Sequence, residues 1–139
     1  MDFEGNTITN DLFAHYDATI VNFWSNGCGS CIEEMPELED YYQRFKDQRI
    51  HLLGVAISAG ESDALRTTAE TILKEKGVTY PNIIPDITSP FYKDFIRQIA
   101  GYPTTYVVDS KGNMIGAPIF GVVKSQEDTL MKRLEMIHP

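Results

Sequence analysis

The chain has 139 residues, 42% hydrophobic and 23% charged, the make-up of one folded domain able to bury roughly two thirds of its unfolded surface. Its formal charge of −8, from 20 acidic against 12 basic side chains, argues against the clustered Lys and Arg that phosphate backbones need, so nucleic acid is not an expected partner. No apolar run reaches the ~20 residues that cross a bilayer, and Met1-Asp2-Phe3-Glu4-Gly5 lacks the basic and apolar regions of a secretory signal, which predicts a cytosolic chain or the mature remainder of an exported one.

Residues 3–18 show no sustained periodicity, and Thr9-Asn10-Asp11 is suited to cap a short helical turn through Leu12, Phe13 and Tyr16; this segment reads as an N-terminal extension packed on the core. Thr19 to Trp24 is an apolar, β-prone run, as expected of a strand buried on both faces of a parallel sheet. It stops at a polar, glycine-bearing turn, and the only two cysteines of the chain, Cys28 and Cys31, then open a helix. A helix N-terminus favours an anion, so Cys28 is biased toward the thiolate that attacks disulfides, and a second cysteine one turn on can resolve the mixed disulfide that forms. Cys31, Met35, Leu38, Tyr42 and Phe45 follow at helical spacing to about Asp47, with Pro36 expected to kink the helix.

Further along, residues 51–58 read as a second buried strand, 62–76 as a helix closed by Gly77, 82–85 as a short strand ended by proline, and 89–99 as a helix carrying Tyr92, Phe95, Ile96 and Ile99. A β-hairpin is predicted from Pro103 to Phe120 around a polar turn with Gly112, and a last helix from Ser125 to Ile137. The order implies a single α/β domain over 1–139, a mixed central sheet flanked by helices on both faces.

Cys28-Gly29-Ser30-Cys31 after a strand, with Gly-Tyr-Pro-Thr-Thr-Tyr at 101–106, resembles the thioredoxin superfamily, and more narrowly its TlpA/ResA-like thiol-disulfide oxidoreductases. Val21-Asn22-Phe23-Trp24, Glu34, Pro36 and the 107–112 segment extend the resemblance over nearly the whole chain. It implies a thioredoxin-like three-layer sandwich with an N-terminal extension and a strand-helix insertion across 50–85. It also implies an attacking Cys28, a resolving Cys31, a proton-handling Glu34, and a cis Pro103 against the disulfide where the backbone meets a substrate peptide. Tyr102 and Trp24 complete the candidate substrate-facing set; for Tyr102 simple packing is an equal alternative, and Trp24 suits a core or pocket wall better. By resemblance the protein is extracytoplasmic and bacterial, needs no cofactor, exchanges electrons with a disulfide-containing protein and with a membrane or soluble thiol donor, and is a monomer. A cytoplasmic location stays open.

Two positions depart from the family pattern. Gly27 stands where many members carry tryptophan, and Asn22 where thioredoxins proper bury an aspartate, which shifts acid/base duty toward Glu34. Without a proton role, Glu34 would be an exposed first-turn glutamate beside the helix dipole, the reading kept for Glu33, and the acidic set Glu33, Glu34, Glu37, Glu39 and Asp40 a solvated face. The cysteines have a metal alternative, but zinc wants four ligands and His15, His51 and His138 are not at ligand spacing. Two rivals remain: a copper-binding or delivery module on the same fold, holding Cu(I) through the cysteines, and a thiol peroxidase, for which Ser25 occupies the usual threonine position. The uncharged Gly29-Ser30 pair points to disulfide reduction rather than oxidation.

Overall fold

The structure, a computed structural model, describes residues 1–137. Five strands form one mixed sheet: β1 Ala18–Trp24, β2 Ile50–Ala56, β3 Asn82–Ile83, β4 Thr104–Asp109 and β5 Ile119–Phe120, in the order β3-β2-β1-β4-β5. β1, β2 and β3 run parallel, while β4 pairs antiparallel with β1 and β5 antiparallel with β4. Every residue of β1 and β2 is buried, as continuous apolar runs require when a strand is covered on both sides.

The helices α1 Gly29–Phe45, α2 Asp63–Glu75 and α3 Glu127–Glu135 cover one face. Leu38, Tyr41 and Phe45 of α1 and Leu130 and Leu134 of α3 pack there on Ala18, Ile20, Leu52 and Val107, and α2 adds Ala69, Ile72 and Leu73 beside Trp24, Met35 and Ala56. α1 runs through Pro36 as one helix. Ser62 caps α2 by accepting from the Leu65 N–H at 3.1 Å, and Gly77, at φ +69°, turns the chain out of it.

The opposite face carries short helical turns. Residues 10–15 form a 3₁₀ turn capped by Thr9. The α-helix expected over 89–99 is instead a π turn, Phe91–Phe95, followed by a 3₁₀ turn, Ile96–Gln98. The wide turn lets sequence neighbours Phe95 and Ile96 both reach the sheet, where Phe95 lies 5.8 Å from Phe23 and 5.5 Å from Tyr106 between ring centroids and Ile96 is buried. The second hairpin strand is likewise interrupted. Val108 bridges Met114 and Thr105 pairs with Ile119, three steps along β4 against five along its partner, because Gly116, at φ +74°, and Pro118, which has no N–H, break the ladder between them.

The N-terminal extension packs on the core as expected, and at the sheet edge: Asp2 bridges Ile83, and the Ile84 N–H donates to the Met1 carbonyl at 2.6 Å.

Candidate redox site

β1 delivers the chain to the site and α1 carries the chemistry. Cys28 is the N-cap of α1, and its Sγ accepts from the Cys31 N–H at 3.2 Å and lies 3.7 Å from the Ser30 hydroxyl. These donors belong to a helix start, where orphan N–H groups and the dipole favour negative charge on sulfur. Cys28 and Cys31 are joined as a disulfide, Cα atoms 5.3 Å apart. Their exposure differs: Cys28 is half-buried, whereas Cys31 is 0% exposed on the stripe that packs on Trp24 and Met35. The turn before Cys28 is anchored by Asn26, whose N–H donates to the Ser58 hydroxyl at 3.3 Å and whose amide donates to the Leu65 carbonyl at 2.9 Å.

Glu34, one turn beyond Cys31, is not the exposed first-turn glutamate of the simpler alternative; it is 2% exposed. Its Oε1 accepts from the Asn22 amide at 3.2 Å and its Oε2 from the Val123 N–H at 3.0 Å. Burial pushes its acidity to about 7, against the lowering effect of the Val123 and Asn22 donors and with a small upward contribution from the Glu37 charge. Glu33 is exposed. Glu39 is no solvated side chain: it accepts from the Thr79 N–H at 2.7 Å and the Tyr80 N–H at 3.2 Å and so fastens α1 to the segment entering β3. Burial opposes its ionisation, but these bonds and those from the Thr79 hydroxyl and Gln43 outweigh it and hold Glu39 below the usual carboxylate range.

The Tyr102–Pro103 peptide bond is cis and Pro103 is buried. Its carbonyl accepts from the Gly121 N–H at 2.9 Å, and the Thr104 hydroxyl donates to the Gly101 carbonyl at 2.6 Å. Tyr102 is half-buried and packs in the cluster that contains Cys28, Cys31 and Trp24. Trp24 is a correction to the substrate-facing set. At 1% exposure it cannot touch a substrate; its indole N–H donates to the Asn82 Oδ1 at 2.8 Å, so it is the floor beneath the disulfide.

Sequence reasoning missed three groups at this site. Asn22 drew notice only as a replaced aspartate, yet a polar residue centred in an apolar strand signals a buried partner. Thr105 is its register neighbour on β4. Val123 acts through its backbone, for which the sequence carries no sign. Of the histidines, His51 is buried and stacked on Tyr16 at 4.1 Å, His15 is exposed, and His138 lies outside the described residues. Among the described residues, no three His, Cys, Asp or Glu side chains are grouped to hold a metal.

Residues 1–117 match the AhpC/TSA family. The chain belongs to that family. The thiol-disulfide oxidoreductase ResA of Geobacillus kaustophilus is 28% identical over 119 residues, 86% of this chain and 62% of that protein. The thiol:disulfide interchange protein DsbE of Haemophilus influenzae is 26% identical over 110 residues, 79% of this chain and 55% of that protein. The chain thus spans about half to three fifths of the length of the curated relatives it matches. Its fold is thioredoxin-like. The thioredoxin domain of a thiol-disulfide oxidoreductase from Bacteroides vulgatus superimposes with a TM-score of 0.74 at 23% identity, covering 93% of this chain and 89% of that one.

Proposed function

We propose that this AhpC/TSA family member is a thiol-disulfide oxidoreductase that reduces protein disulfides through the Cys28–Cys31 pair. The observation that carries this function is the asymmetry of the pair: a half-exposed sulfur at the N-cap of α1, bonded to a fully buried one a turn further in. Only the outer sulfur meets a second protein, and only the inner one is held where it can displace it.

In the reduced protein, Cys28 thiolate attacks one sulfur of a substrate disulfide. A Cys28–substrate disulfide forms, and the other substrate sulfur leaves as a thiolate that takes a proton from water. Cys31 thiol then gives its proton to the Glu34 carboxylate and attacks Cys28 Sγ, breaking the mixed disulfide. The second substrate thiolate leaves and is protonated in turn. One dithiol and one disulfide have exchanged two electrons, and Glu34 passes its proton on before the next cycle. With acidity near 7, Glu34 is suited both to take and to return a proton at neutral pH. Tyr102 packs in the cluster that contains Cys28, and with Pro103 next to it forms the face a substrate peptide meets. The partners are a disulfide-bearing protein and a thiol donor that re-reduces the pair, acting on a monomer. The TlpA/ResA-like resemblance supports an extracytoplasmic location.

The reduction potential of the pair tests the direction. Equilibration in graded dithiol buffers should give a midpoint near that of thioredoxin, about −270 mV; a value near −120 mV would make the protein an oxidant. If no reversible intramolecular disulfide forms, the exchange function is lost altogether.

A further inference from the structure

We propose that Asn22 is a positioning residue, whose amide orients the buried Glu34 carboxyl for proton exchange with Cys31 and ties that carboxyl to the strand that follows Pro103. This rests on the exchange function above.

Asn22 is 1% exposed in the middle of β1, between Val21 and Phe23. An amide without partners there would cost several kcal/mol, so its bonds identify its duty. Nδ2 has two hydrogens. One goes to Glu34 Oε1 at 3.2 Å and the other to Thr105 Oγ1 at 2.9 Å on the facing residue of β4. No other side chain of this size serves both bonds: leucine offers no donor, and aspartate would set a second carboxyl against Glu34.

The other Glu34 oxygen is held by the Val123 N–H at 3.0 Å, and two residues earlier the Gly121 N–H donates to the Pro103 carbonyl at 2.9 Å. Glu34 therefore reaches the proline loop by two routes, through Asn22 to Thr105 and through residues 121–123 to Pro103. A carboxyl held at both oxygens keeps one orientation, on the helix turn that follows Cys31. The titratable groups that act on it are Glu37 on its own helix and Tyr80 from the segment entering β3, and Cys31 lies one turn before it on the buried side of α1. β1 and β4 contribute the uncharged Asn22 and Thr105, and the segment before α3 a backbone N–H.

The test uses the whole chain with ¹³C-labelled glutamate carboxyls, titrated in the oxidised state for wild type, Asn22→Leu and Thr105→Val. A single-turnover pH profile of mixed-disulfide resolution is recorded in parallel. Loss of one donor to a carboxylate should raise the Glu34 midpoint by about one pH unit in Asn22→Leu. A smaller rise is expected in Thr105→Val, which frees the amide to turn away. The resolution profile should move by the same amount with its high-pH plateau retained. An unmoved Glu34 midpoint in both folded variants overturns the proposal, and so does a rate lowered equally at every pH, which is the signature of a structural role alone. If Asn22→Leu does not fold, Thr105→Val decides by the same criterion. If wild type resolves no mixed disulfide, the exchange function fails, while the carboxyl titration still decides whether Asn22 governs Glu34.

Discussion

Cys28 and Cys31 share one turn of helix but not one environment, and the proposed order of reaction rests on that difference. Cys31→Ser removes the only sulfur placed to displace a bound substrate, so incubation with a disulfide-bonded protein should accumulate a Cys28 mixed disulfide visible by mass on a non-reducing gel. Cys28→Ser should accumulate none, because Cys31 is fully buried. A stable adduct at Cys31 in that variant would contradict the assignment. The Cys28–Cys31 disulfide was legible in the sequence from its spacing after a strand, and the cis bond before Pro103 only through the family resemblance. Glu34 was only half legible: its register one turn after Cys31 was evident, but its burial depends on Val123, 89 positions away. Asn22 shows the limit from the other side, since an asparagine in a strand states that it needs a partner without saying which.

Among the elements, β2 and β3 are set by one glycine. Gly54 pairs with Asn82, and a Cβ on Gly54 would collide with the Asn82 amide that holds the Trp24 indole. Gly54→Ala should therefore destabilise the fold by about 1–3 kcal/mol, as overpacking of a core does, read as a lower urea midpoint at unchanged slope. Gly27 meets nothing within 4 Å, so Gly27→Ala should stay within about 0.5 kcal/mol of wild type. Equal effects at both glycines would mean that the Trp24–Asn82 contact does not organise the sheet. β1, β2 and α1 were readable because their apolar patterns are long and their period is unambiguous. Residues 89–99 were not, since aromatic spacing of three and four fits an α-helix and a wide turn equally, and only contact with Phe23 and Tyr106 selects the latter. The second hairpin strand was expected to run to Phe120, and its shortening to β5 was not legible because Gly116 and Pro118 act on the ladder and leave the apolar pattern intact.

Across the whole molecule, two buried groups titrate in opposite senses. Burial raises Glu34 from 4.5 to about 7, so over that window the folded chain keeps a proton the unfolded chain has released, and stability falls as pH rises. Burial lowers His51 from 6.5 to about 4, so the unfolded chain binds the extra proton there and stability rises with pH. Each effect is worth on the order of 3 kcal/mol over its full window, and between pH 4.5 and 6.5 they nearly cancel. Urea unfolding should accordingly show little net slope from this pair in wild type, stability rising with pH in Glu34→Gln and falling with pH in His51→Phe. Parallel curves for all three proteins would refute the buried titrations.

The Met1, Asp2 and Ile83–Ile84 contacts have a bearing on assembly. A sheet whose outermost strands stand bare is a template on which another chain can add itself, and proteins guard against this by shortening or covering those strands. Here one margin is sheathed by the first residues of the chain and the other ends in a strand only two residues long. Recruitment of foreign backbone is thereby discouraged along both margins, which agrees with the proposal that a substrate peptide is met at the Tyr102–Pro103 loop instead.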